Sequence, residues 1–179
     1  MPKRQVFYSF HFANDVWRVQ QVRNMGMLEG NTPVSPNEWE EVKRKGSYAI
    51  RNWIDEAMRY RSCLVVLYGQ ETYSREWVQY EIEHAWNTGK GVAAISIDRL
   101  ADRFGKQSFK GKNPLSNFVL STSSGKIRKW TCSQYGERKL VDIAPTFDTF
   151  YLRSDDAYND IKEHLEGVIE EAIRIRNRY

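Results

Sequence analysis

Two stretches of the chain are almost continuously apolar. They are "CLVVLY" (63 to 68) and "GVAAISI" (91 to 97), both rich in β-branched residues. Runs of that length without polar alternation predict strands covered on both faces, as in the interior of a parallel sheet. "QVFYSF" (5 to 10) reads as a third strand. Between them the period changes. "NDVWRVQQVRN" (14 to 24) places Val16, Val19 and Val22 three residues apart, and "SYAIRNWIDEAMRY" (47 to 60) gathers Ile50, Trp53, Ile54, Ala57 and Met58 on one face. Strand, helix and strand in alternation predict an α/β sheet with right-handed crossovers.

The longest helical pattern is "SDDAYNDIKEHLEGVIEEAIRIRNRY" (154 to 179). Tyr158, Ile161, Leu165, Val168, Ile169 and Ala172 form its apolar stripe. Ser154 is placed to cap it, acids occupy the first turn and arginines the last. From 98 to 153 the pattern weakens. "DRFGKQSFKGKNPLSN" reads as a flexible loop, and sparse strand candidates around Trp130 and "LVDIAP" suggest an edge of the sheet. Residues 25 to 46 are irregular, and there is no internal repeat or low-complexity linker. One domain over 1–179 is the expectation, since that length buries a substantial core.

Composition narrows the classes. A hydrophobic fraction of 41% with six Trp belongs to a folded globular chain. The net charge of +4 is mild, and its short basic clusters, "GKIRKW" and "RIRNRY", call for no nucleic acid. Two cysteines, Cys63 and Cys132, give no disulfide framework and suit a reducing compartment. The amino-terminal residues enter a strand at once with no signal-peptide core, and no apolar run is long enough to span a bilayer. A cytoplasmic protein without membrane contact is expected.

Several chemistries fail on spacing. "GKQSFKGKN" is one residue too long for a phosphate loop and has Asn113 where Ser or Thr should stand. His11, His84 and His164 lack ligand spacing, so no metal is expected. No acidic cluster follows the first strand, as a phosphoacceptor domain would need, and no glycine fingerprint follows any strand.

What remains is "SREWVQYEIEHAW" (74 to 86). At about 100° per residue, Val78, Ile82, Ala85 and Trp86 make its buried arc, while Trp77, Glu81 and His84 lie on the adjoining margin. Glu83 points to solvent, and Ser74 is placed to cap. The helix follows a parallel strand, at the end where α/β sheets hold ligands. Periodicity alone favours a surface glutamate beside a half-buried tryptophan.

"VFYSFHFAND", "IDEAMRYRSCLVVLYGQETYSREWVQYEI" and "GVAAISI" together resemble the TIR domain, and more narrowly the TIR-like branch of bacterial antiphage (Thoeris-type) systems. In that branch "NDVWRVQQVRNMG", "EGNTPVS", "GKG" and "GKNP" are also similar. The likeness covers about the first 120 residues well. It implies a flavodoxin-like three-layer α/β fold with a central, mostly parallel sheet. In TIR domains that cleave NAD+ the Glu of W-x-x-x-E is catalytic, which falls on Glu81 with Trp77 as the aromatic. Ser9, Phe10 and His11, ending the first strand, correspond to pocket residues. The chain departs from many TIR domains in having His11-Phe12 where a basic pair is common, and in an unrecognisable loop over 25–46.

The resemblance implies an NAD+ glycohydrolase or ADP-ribosyl cyclase with NAD+ as substrate and no cofactor. Nicotinamide leaves as a neutral group, so one carboxylate beside an oxocarbenium-like ribose suffices by analogy with glycoside cleavage. An aromatic wall stacks the nicotinamide. Exclusion of water favours a cyclic or conjugated ADP-ribose product. A separate effector protein sensing that product, a phage-derived trigger and a homo-oligomer are implied as well. The alternative is a non-catalytic TIR adaptor that works by self-assembly.

Overall fold

A computed structural model describes residues 4–25, 41–131 and 136–179. Four parallel strands form the central sheet, in the order β1 (Val6–Ser9), β2 (Cys63–Tyr68), β3 (Gly91–Ser96), β6 (Thr146–Phe147). Val6 pairs with Cys63, and Cys63 with Gly91, so the three main strands start level, and β1 stops at Ser9, two residues short of the ends of β2 and β3. Helix α1 (Phe12–Arg23) follows β1, α2 (Ser47–Met58) precedes β2, α3 (Glu76–Asn87) connects β2 to β3, and α4 (Ser154–Arg176) follows β6. Sheet and helices make the α/β architecture that the strand–helix alternation predicts, in the flavodoxin-like layering that the TIR resemblance implies.

The continuous apolar runs are explained by burial on both faces. Every residue of β2 and β3 is buried. Leu64, Val66, Val92 and Ala94 enter a core with α2 and α3, where Ile54, Met58, Ile82 and Trp86 meet them. Cys63, Val65, Leu67, Ala93 and Ile95 face the other way, into a core closed by Val19 and Val22 of α1 and by Ala157, Ile161, Leu165, Ile169 and Ala172 of α4. The alternation of strand side chains therefore sorts each residue to one of two helix layers. Strand β3 and α4 approach so closely at Gly91 that a Cβ there would stand 2.8 Å from the Ile173 nitrogen.

Several expectations are corrected. The basic segment around Trp130 is not an edge of the main sheet: β5 (Ile127–Lys129) pairs antiparallel with β4 (Phe118–Leu120) in a separate hairpin. Trp86 fixes that hairpin by donating its indole N–H to the Gly125 carbonyl at 2.9 Å. The edge strand β6 follows "LVDIAP" instead, whose first residues form a single 3-10 turn at Leu140–Asp142. Neither Ser74 nor Ser154 caps a helix. Ser74 ends a 3-10 turn, and Arg75 and Arg153 stand in extended geometry at the two N-caps without a side-chain capping bond.

The loop over 98–117 is exposed over residues 103–107 but fastened at both ends, where Asp98, Leu100 and Leu115 are buried. Arg18 donates to the carbonyls of Leu100 and Lys106, each at 2.9 Å. Gly111 lies against the end of β2, where a Cβ would come 1.9 Å from the Gly69 oxygen. Of the irregular stretch 25–46, residues 26–40 lie outside the described residues, as does Cys132; residues 41–44 are helical. Among the described residues no helix is long and apolar enough to cross a membrane.

Candidate active site

Strand β1 ends where its side chains diverge to the two layers. Ser9 shares the parity of Phe7 and points to the α3 side, whereas Phe10 packs with the opposite core. Between these directions, at the carboxyl end of the sheet, lies a cavity of about 490 Å³, a size typical of small-molecule sites. Its walls come from β1 and the start of α1 (Phe10, His11), from α2 (Trp53) and from α3 (Trp77, Glu81). Parallel α/β sheets place ligands at this end because the loops diverge there and open a crevice.

The structure brings together Phe10, His11, Trp77 and Glu81 on this cavity. Ser9 does not line it. Ser9 is buried beneath and donates its hydroxyl to Glu81 Oε2 in a short hydrogen bond. His84, on the same arc as Glu81 in a helical projection, turns away: its Nδ1 stands 3.3 Å from Asp55 Oδ1 and its ring stacks on Tyr80. The two groups separate because Glu81 is drawn to the Ser9 hydroxyl and His84 to Asp55 of α2.

Glu81 differs from its expected position at a solvent-exposed margin. It is only 7% exposed. No cation is paired with it among the described residues, and burial pushes its carboxyl up to about 8, with the Ser9 hydroxyl pulling in the opposite direction. A carboxyl that is desolvated, aimed at a cavity and lacking a countercharge favours its neutral form until a cation arrives. Glu83, two residues later, is half-exposed and takes no part in the cavity.

The remaining walls are aromatic and basic. Phe7 and Trp53 meet edge to face with centroids 6.5 Å apart, and Trp77 packs edge to face on Tyr80 at 6.0 Å. Such pairs hold a flat wall rigid. His11 is driven toward its neutral form by burial, then by Arg75, with Glu71 opposing. Arg23, Lys43, Arg61 and Arg75 also border the space. None of these four was singled out by periodicity, because they come from separate segments that only the fold assembles. Arg23 carried one faint signal, a basic residue closing a helix otherwise marked by Val19 and Val22.

The arrangement suits a ligand with a flat aromatic part and with charges of both signs. Similarity to known proteins narrows the choice. The family model described as "Thoeris protein ThsB, TIR-like domain" matches residues 7–102, which contain β1 to β3 and most of the cavity. A Bacillus cereus (strain MSX-D12) protein, provisionally named cyclic ADP-D-ribose synthase ThsB1, is 31% identical over 151 residues, covering 79% of this chain and 78% of that protein. With a matching fold, the W-x-x-x-E pair on the cavity and these two likenesses, the chain belongs to the ThsB TIR-like family of Thoeris proteins.

Proposed function

We propose that the chain binds NAD+ in this cavity and breaks the bond between nicotinamide and ribose C1′, yielding a cyclic or conjugated ADP-ribose. The observation that carries the reading is Glu81, a buried carboxyl without a countercharge, on a cavity walled by Trp53 and Trp77. Nicotinamide-riboside is cationic, so its arrival lowers the cost of ionising Glu81, and the carboxylate then stabilises charge as it moves onto the ribose. The C1′–N bond breaks with its electron pair going to nicotinamide, which departs neutral. An acceptor, either the adenosine half of the same molecule or a second molecule, supplies the electron pair for the new bond at C1′.

Each nearby side chain has a role in this scheme. Ser9 orients the Glu81 carboxyl by donating to Oε2. Trp77 supplies the flat surface against which nicotinamide stacks, and His11 offers a neutral imidazole to its polar edge. Enclosure of the reacting end limits attack by water and favours transfer over hydrolysis. The name of the B. cereus relative supports a cyclic product. In a Thoeris setting the product acts on a separate effector protein, with infection as the trigger and self-association of this chain as part of the response.

The test is mass spectrometry of nucleotides after incubation with NAD+, using purified protein and extracts of phage-infected cells. NAD+ should disappear and an ADP-ribose derivative should form with the parent and with Glu83→Gln. Glu81→Gln should reduce turnover by orders of magnitude, since loss of several kcal/mol at the transition state acts exponentially on rate. Equal activity in Glu81→Gln and parent would remove Glu81 from the chemistry. Absence of turnover in every protein and extract would favour a non-catalytic, self-assembling module.

A further inference from the structure

Arg23 is the last residue of α1, and its guanidinium lies over the Phe10 ring with the central carbon 5.3 Å from the centroid. Its Nε is fully enclosed yet has no hydrogen-bond partner, and among the described residues the side chain forms no ion pair. Among the described residues no other arginine has an enclosed nitrogen left without a partner. Arg18, on the same helix, donates to three backbone carbonyls. Of the other arginines on the cavity, Arg75 meets Glu71 at 2.5 Å and Arg61 meets Gln5 at 3.2 Å. A buried donor without an acceptor is costly, and a desolvated cation without an anion more so. His11 Nδ1, on the same cavity, is likewise enclosed without a hydrogen bond, the Glu71 carboxylate standing 3.9 Å away.

We propose that Arg23 binds the diphosphate of the dinucleotide substrate, an assignment that rests on reading this cavity as an NAD+ site. All negative charge of NAD+ is on its diphosphate, while the end that reacts is cationic. The cavity has the complementary polarity: an unpaired carboxyl at Glu81 and an unpaired guanidinium at Arg23. A substrate laid with nicotinamide toward Glu81 satisfies both, and the reverse orientation satisfies neither. Guanidinium is suited to this role because its planar fork grips two phosphate oxygens at once, and the Phe10 ring holds that plane in place before the ligand arrives. Arg23 is thus a positioning residue that sets the direction of binding, remote from the bond that breaks.

The assignment is tested by calorimetric binding of ADP-ribose, with and without Arg23→Gln, in a Glu81→Gln background that prevents turnover. Arg23→Gln should weaken ADP-ribose binding about tenfold to hundredfold, as expected for loss of a charge-assisted contact, and Arg23→Lys should fall between. In the active protein Arg23→Gln should raise KM for NAD+ by a similar factor and leave kcat within about threefold. Without ligand, Arg23→Gln should melt no lower than its parent, because it removes a half-buried cation whose enclosed Nε has no acceptor. Unchanged ADP-ribose affinity would overturn the assignment while leaving the NAD+ reading intact. A melting temperature well below the parent's would show a structural role and overturn it too. If the Glu81→Gln protein binds neither ADP-ribose nor NAD+, the NAD+ reading itself falls, and this assignment with it.

Discussion

Replacing Glu81 by Gln should stabilise the protein at alkaline pH. The folded carboxyl titrates near 8 against an ordinary value of 4.5, because burial outweighs the Ser9 hydrogen bond. Across that window the folded state holds a proton that the unfolded chain has released. The stability conferred is therefore complete below about pH 4.5 and is lost as pH rises through 8. The shift corresponds to about 3 to 5 kcal/mol at pH 9. Gln keeps the shape and can still accept from Ser9, but never ionises, so the variant is spared this loss. With about 2 to 4 °C per kcal/mol for a chain of this size, the variant's melting temperature relative to parent should climb by at least about 6 °C between pH 4.5 and pH 9. Melting curves of parent, Glu81→Gln and Glu83→Gln over that range decide the matter. Differencing cancels every other titrating group, and Glu83→Gln, altered at a half-exposed side chain, should track the parent. An offset for Glu81→Gln that is independent of pH would refute the argument that the carboxyl is buried without a countercharge.

The same ionisation should govern activity: kcat/KM for NAD+ should rise with pH through about 8, because only the carboxylate stabilises the ribose cation. Ser9→Ala removes the contact that holds the Glu81 value down, so that rise should move to higher pH by roughly half to one unit, as read from the pH–rate profile. Trp77→Ala should reduce turnover and cost about 1 to 3 kcal/mol in denaturant titration, less than a fully buried tryptophan because Trp77 is half-buried; a folded, fully active variant would remove it from the wall. Duplex DNA or RNA should bind no tighter than micromolar at physiological salt, since the excess of +4 is dispersed; filter binding at two salt concentrations measures this.

The parallel core was legible because "CLVVLY" and "GVAAISI" have no polar alternation, a pattern that only two-sided burial rewards. The long helix was legible from Ile161, Leu165, Ile169 and Ala172, all buried. The β4–β5 hairpin was not, since three-residue strands are too short to show a period and their pairing is set by Trp86 and Asn87 on a different element. Helix starts at Ser74 and Ser154 were misread for a related reason: a capping residue type permits a cap, but the backbone entry angle decides it. At the site, Trp77 and Glu81 were visible as residues off the apolar stripe, and the TIR resemblance gave them meaning. The burial of Glu81 was invisible, because it depends on Ser9, at the end of β1, meeting its carboxyl from a distant part of the chain. Arg23 and Trp53 reach the cavity from helices whose sequence marks only their core faces.

The contact between Gly91 and the Ala172–Ile173 backbone also has a bearing on synthesis at the ribosome. Strands β1 to β3 are complete once residue 96 has been made, but the helix that covers Val65, Leu67, Ala93 and Ile95 arrives some 60 to 80 residues later. At roughly 5–20 residues per second, that sheet face waits several seconds for its cover. During this interval the nascent chain presents an apolar sheet face, and α1 shields only part of it. Expression yield should therefore depend on chaperone supply and translation speed over the second half of the message, even for variants whose finished fold is unimpaired.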